Sequence, residues 1–433
     1  MIIIKIFWSV FTAIYLFMLG NLIPFHVLGS SSASDVTLQV KVLGQPFLAK
    51  GTYPANVWDM QVFNDKIYLG FGNSSNKGPG ANAGPILIIY YDPPLGKFVT
   101  EDIKRYNSNT KNYETVKSVD EEQIDIYKVL NGKLYIPGHD SRESWDFGNY
   151  YVKDKNGWQK FRNIPGAIHV YDMAYFKGKL FAAIGSDTFV DIDNTGAIVL
   201  MSEDNGNTWK NIGSIPYSPN VFNNRAYTLF EFKNKLYAVA GLSPYCFPSS
   251  IGGFYSEAVI VLCFDQNLNG TIKTSQVLVY GSKMIPGAKT IDNKFNGIKM
   301  VRTNVVNNKL LYIAGEYYND HQWLPGGLYV ATDINSTQKI TFSEHNALPM
   351  DIIVRGNTAY VLAHVKISHN EYANIVYKSD DLIGWTELFR FTKDTFARSF
   401  EELDGDFYFG LGCYTDYLPS STGTILMVRS SAY

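Results

Sequence analysis

Three arginines, Arg225, Arg302 and Arg398, recur near the start of one repeated phrase of the sequence. Brought together they would form a clamp for a carboxylate, sulfate or phosphate, because a guanidinium binds such anions through paired charge-assisted hydrogen bonds. Aligning the phrase on a shared lysine puts Asn56, Gln123, His169, Arg225, Lys299, Leu348 and Phe396 at one position. Three residues later come Asp59, Ile126, Asp172, Thr228, Arg302, Asp351 and Ser399, with Arg398 just before the last. Polar and charged residues thus converge where simple packing would favour Val or Ile. Asp59, Asp172 and Asp351 are either part of a ligand site with His169 and the arginines, or the internal salt-bridge partners of those arginines. Glu316 and Asp140 are the carboxylates placed to act as acid or base if the chain hydrolyses a glycosidic bond.

The elements that must position these residues are read from the phrase itself. An apolar strand, a tight turn, then Lys-Leu-Tyr and a glycine recur as VWDMQVFNDKIYLGFG, QIDIYKVLNGKLYIPG, HVYDMAYFKGKLFAAIG and RAYTLFEFKNKLYAVAG, and more loosely in KMVRTNVVNNKLLYIAG, MDIIVRGNTAYVLA and ARSFEELDGDFYFGLG. The spacing is about 55 residues, the range of repeat architectures. Each copy reads as a β-hairpin. A third strand ending in aspartate follows, at Asp92, Asp154, Asp204, Asp265, Asp333 and Asp381, and then a fourth strand that often opens with an aromatic residue.

Four antiparallel strands repeated radially predict an all-β, seven-bladed β-propeller, with six blades as the alternative. The last unit stops short of a fourth strand. VTLQVKVL, ahead of the first hairpin, has the alternation to supply it and so close the ring.

The third copy is the most complete: SEDNGNTW. Its Ser202, Asp204, Gly206, Thr208 and Trp209 match S-x-D-x-G-x-T-W, and the chain thereby resembles the Asp-box (BNR repeat) propellers, which include the sialidases. The resemblance implies a structural turn between third and fourth strands, on the face opposite the active site. Sialidases also carry Phe/Tyr-Arg-Ile-Pro in the first blade. The nearest string here is FRNIP, residues 161–165, one residue too long and on the outer strand of the second blade, so the family's catalytic residues are not carried over.

With the Asp-box turn on the short-turn face, function is expected on the other. There the connections are long in every repeat (72–85, 138–148, 185–196, 241–257, 315–327, 364–373 and 412–422) and rich in aromatics such as Trp145, Tyr317 and Trp323. Long loops that persist tend to bind something, and flat aromatic faces beside polar groups suit sugar rings or a protein surface.

The remaining features bound the function. Lys and Arg total 38 against 40 Asp and Glu, a formal charge of −2, which gives no reason to expect nucleic acid as partner. No metal or cofactor is expected, since the histidines lack metal-ligand spacing and no Gly-rich phosphate loop is present. Cys246 and Cys263 are near enough in sequence to pair, or to remain two free thiols. Residues 1–33, one lysine and a long apolar run ending in small polar residues, read as a signal peptide or an uncleaved membrane anchor; residues 34–433 read as a single propeller domain. The expected partner is a glycan or an extracellular protein. A sialidase-like hydrolase or lyase acting on an anionic sugar is the alternative, and a structural surface protein a third.

Overall fold

Hairpin turns set the architecture. In most of the repeats two consecutive turn residues take positive φ, as in Asn64/Asp65, Asn131/Gly132, Lys177/Gly178, Lys233/Asn234, Asn307/Asn308 and Asp404/Gly405. That backbone matches the right-handed twist of the flanking strands, which is why Asn, Asp and Gly punctuate every copy.

The computed structural model describes residues 33–47, 51–74, 84–144, 146–185, 197–215, 225–242, 247–248, 254–255, 258–288, 298–318 and 322–433. The segment expected to be a signal or anchor, residues 1–32, lies outside them. Residues 34–433 form one compact unit, a seven-bladed β-propeller. The inner strands, in chain order, are Asp59–Phe63, Lys128–Leu130, His169–Phe176, Thr228–Phe232, Ile298–Val306, Leu348–Arg355 and Ala397–Leu403. The seventh blade takes Lys41–Gly44 as its outer strand, antiparallel to Ile425–Val428. Only this part of VTLQVKVL is strand. Thr37–Gln39 forms a 3-10 turn, and Ser34–Asp35 adds in parallel to the outer strand of blade 6. Blades 6 and 7 are thus both tied to the beginning of the propeller.

Aromatic pairs fill the wedges between blades: Tyr68 with Trp158, Tyr150 with Trp209, Phe181 with Phe264, and Tyr91 with Tyr408. Large rings suit these wedges because each buries much apolar area, and edge-to-face contact is favourable.

The structure adds one hairpin and corrects one reading. Residues 103–116 form a hairpin, Ile103–Asn107 with Asn112–Val116, that joins the outer edge of blade 2 through Trp158 and Gln159. The long connections of blades 5 and 6 are largely β-hairpin: Lys309–Tyr318 pairs with Gln322–Asp333, and Thr358–Ser368 with Glu371–Ser379. Alternating residues there satisfy their backbone groups by continuing the ladder. Cys263 is a buried free thiol, and Cys246 lies outside the described residues.

Candidate functional site

The column Asp59, Asp172, Thr228, Arg302, Asp351, Ser399 is a ring of blade-to-blade braces. Asp59 accepts the backbone N–H of Tyr127 at 2.6 Å, Asp172 that of Leu229 at 2.8 Å, and Asp351 that of Phe400 at 3.1 Å. In each case the donor lies one residue past the corresponding position of the next blade. Thr228 donates its hydroxyl to the Met300 carbonyl, and Ser399 donates to the carbonyl of Val57 at 2.9 Å, closing blade 7 on blade 1. Satisfying these inner-strand groups internally explains why polar residues stand where Val or Ile would pack.

The three arginines are each engaged within the protein, Arg302 and Arg398 both at Trp58 and Arg225 at Tyr171. Arg302, at φ +53 in a bulge between Val301 and Asn304, is aimed across the channel. Its Nη1 donates to Asp59 of blade 1, and its Nε lies 3.1 Å from Asp351 of blade 6. Burial opposes its charge, yet Asp351 and Asp59 hold its pKa above the ordinary value; burial raises Asp59 and pushes Asp351 up to about 7. Arg398, also in a bulge, is buried, donates to Asn56 Oδ1 at 3.0 Å and to the Cys413 carbonyl at 2.9 Å, and lies over the Trp58 ring. Arg225 donates to the Tyr171 hydroxyl at 2.7 Å. In place of an open three-arginine clamp, Arg302 spans the channel between Asp59 and Asp351, Arg398 is bound at Asn56, Cys413 and Trp58, and Arg225 is bound at Tyr171. Asp172 is likewise paired, 3.0 Å from Lys128 Nζ.

A different cluster gathers at the long-loop end of blades 2 to 5. Tyr171 is its centre: its ring lies 5.3 Å from both His139 and His169 and 5.0 Å from Tyr227. Lys299 Nζ sits 3.9 Å above the Tyr227 ring and 5.5 Å from that of Tyr171. Asp140 Oδ1 is 3.7 Å from His169 Nδ1, and Asp125 Oδ2 is 3.9 Å from His139 Nδ1. His169 and His139 retain 13% and 14% side-chain exposure, and Asp125 42%, so the cluster reaches solvent.

Its electrostatics differ from those of the brace ring. Burial, reinforced by Arg225 and His139, holds His169 neutral, well below the usual histidine range. Burial also lowers His139, against the pull of Asp125. Burial brings Lys299 down to about 7, with Asp125 opposing and Arg225 adding to the shift, and burial plus the nearby Glu122 pushes Asp140 up to about 7. An acid and a base that both titrate near neutrality mark a site able to exchange protons.

The hydrogen bond at His169 fixes its tautomer. Nδ1 lies 2.5 Å from the carbonyl oxygen of His139, which can only accept, so Nδ1 carries the proton. The lone pair is on Nε2.

The other expected residues divide as follows. Glu316, Tyr317 and Trp323 lie on the extended hairpin of blade 5, with Tyr317 opposite Trp323 in register, and Trp145 lies outside the described residues. At Ser202–Trp209, Gly206 N and Asp204 N donate to Ser202 Oγ, and Thr208 donates to Asp204 through N–H at 2.9 Å and hydroxyl at 2.7 Å. Those bonds lower Asp204 to about 2. Gly206 has φ +91, and a Cβ there would sit 2.2 Å from the Tyr150 hydroxyl. Ser379 and Asp381 repeat the arrangement in blade 6, where Leu382 N donates to Ser379 and Gly384 N to Asp381.

Tyr171, Tyr227, His139 and Asp125 were missing from the expected site, whereas Lys299 stood in the first aligned column with His169 and Arg225. Each tyrosine follows a residue of the first aligned column, His169 or Arg225, by two positions, but Tyr171 is a bulge residue and Tyr227 precedes the strand Thr228–Phe232, so strand alternation did not mark either.

No family model matches the sequence, and no curated protein matches it. Solved structures similar in fold include a virginiamycin B lyase from Staphylococcus aureus, at 9% identity and TM-score 0.47, covering 90% of this chain and 98% of that one. The β-propeller domain of the Trilobed protease from Pyrococcus furiosus has 9% identity and TM-score 0.43, covering 86% of this chain and 92% of that one. A sialidase of Trypanosoma rangeli has 16% identity and TM-score 0.33, covering 59% of this chain and 46% of that one.

Proposed function

We propose that this chain is an extracytoplasmic Asp-box propeller that binds an acidic carbohydrate at the long-loop mouth of blades 2 to 5. One observation carries the reading: Arg225 and Lys299 are set against the faces and hydroxyl of Tyr171 and Tyr227, from three successive blades. Cations beside aromatic faces suit a sugar ring that bears a carboxylate. The apolar segment before residue 34 supports a position outside the cytoplasm, as cleaved signal or as anchor.

Calorimetric titration of the whole chain with uronate and sialyl oligosaccharides, against neutral oligosaccharides of equal length, tests this. Heat of binding is expected for the acidic ligands only. Equal binding of the neutral ones, or none of either, contradicts it.

The pH dependence has a definite sign. Lys299 and Asp140 each titrate at about 7, among His139, His169, Arg225, Asp125 and Glu122. Raising the pH removes the positive charge of Lys299 and adds a negative charge at Asp140, and both oppose an anionic ligand. Affinity is expected to fall by roughly tenfold between about pH 6 and about pH 8, with proton uptake on binding above neutrality. A pH-independent affinity would place the ligand elsewhere.

A further inference from the structure

We propose that Asn269 and Asn335 are N-glycosylated, each bearing an oligosaccharide on the turn between the third and fourth strands of blades 4 and 5. The proposal rests on the extracytoplasmic reading, because the sugar is donated by a lipid-diphosphate-linked oligosaccharide on the secretory side of a membrane. Three stretches have the acceptor pattern: Asn73-Ser-Ser, Asn269-Gly-Thr and Asn335-Ser-Thr. The fold sorts them. Asn73 is 2% exposed at the seam of blades 1 and 2, where its backbone N–H donates to the Glu122 carbonyl at 3.0 Å, and a bulky polar oligosaccharide has no room there. Asn269 and Asn335 are both exposed. Asn269 stands at the tip of the hairpin of Ala258–Gln266 and Ile272–Tyr280, beside Gly270 at φ +83. Its Oδ1 accepts from the N–H and the hydroxyl of Thr271 at 3.1 and 2.7 Å, and its Nδ2 has no partner among the described residues. Asn335 follows the buried Ile334 in the turn between Gln322–Asp333 and Ser336–Ile340. Its Oδ1 accepts from the Tyr280 N–H at 3.4 Å, and its Nδ2 likewise has no partner among the described residues.

Two further observations single out these turns. In blades 3 and 6 the same turn is tied by Ser202 with Asp204 and Ser379 with Asp381, whereas Cys263 and Ala331 stand at the serine position in blades 4 and 5. Each asparagine also adjoins an apolar side chain left in water: Leu268 is fully exposed, and Tyr280, whose N–H meets Asn335, is 43% exposed. An oligosaccharide at each place covers that side chain with the C–H faces of its sugars. The transfer balances. A bond forms between Nδ2 and C1 of the first sugar, the C1–O bond breaks, the lipid diphosphate leaves with the electron pair, and the amide gives up one proton. Nothing is oxidised or reduced.

Peptide mapping of the whole chain isolated from its own cells, together with fractionation of those cells, tests this. Sugar is expected on the Asn269 and Asn335 peptides and not on the Asn73 peptide. Asn269→Gln and Asn335→Gln, made in the same cells, are each expected to lose one of two mass steps, and Thr271→Ser to keep both. Unmodified asparagines on a chain found outside the cytoplasm overturn the glycosylation and leave the extracytoplasmic reading standing. Sugar on Asn73, or on only one of the other two, also overturns it. A chain confined to the cytoplasm overturns both.

Discussion

Replacing Arg302 by methionine is expected to destabilise the propeller by about 3–5 kcal/mol, the cost of leaving buried charges without a partner. Asp59 and Asp351, with side chains 6% and 5% exposed, would face each other across the channel with no cation between them. The loss depends on pH. Burial already lifts Asp351 to about 7 and Asp59 in the same direction, so the folded state binds more protons than the unfolded one above the unfolded carboxylate pKa. Stability from these groups is therefore present at low pH and lost as pH rises toward 7. Without Arg302 both carboxylates move further up, and the deficit of the variant is expected to be larger at about pH 8 than at about pH 5. Denaturant unfolding at the two pH values measures it. An unchanged midpoint at both would remove Arg302 from the role of channel brace.

Removing Arg225 and Lys299 together, as R225A/K299A, is expected to weaken binding of an acidic oligosaccharide by about 2–4 kcal/mol, roughly 30-fold or more, with the fold retained by circular dichroism. These cations meet Tyr171 and Tyr227, whereas Arg302 bridges Asp59 and Asp351 across the channel. Titration of Arg302→Met, in the cold where it stays folded, is expected to return an affinity within a few-fold of the wild type. The reverse pattern would make Arg302 the site and the mouth its support.

The blades were legible in the sequence because period-two alternation and positive-φ turn residues recur together in every copy. The brace ring was legible as a column, since its members align three residues past a common position. Its role was not: an aspartate reaching a ligand and one reaching the next blade's N–H have the same spacing. The hairpin at 103–116 escaped because its strands turn no continuous apolar face to a core; Tyr106 and Tyr113 stand 55% and 64% exposed. The mouth was half legible. His169, Arg225 and Lys299 stood in the first aligned column and Asp140 among the loop carboxylates, but Tyr171 was hidden as the bulge residue between Val170 and Asp172. A bulge re-aims a side chain, and a single sequence does not mark it.

The histidine ring resonances of the whole chain, followed by NMR during addition of an acidic oligosaccharide, test most directly where the ligand sits. His139 and His169 line the mouth of blades 2 to 5, whereas His369 packs on Tyr417 in the loops of blades 6 and 7. Saturable shifts of His139 and His169, with His369 unmoved, are expected. Shifts of His369 alone, with His139 and His169 silent at saturating ligand, would contradict the assignment of function to the Tyr171 cluster.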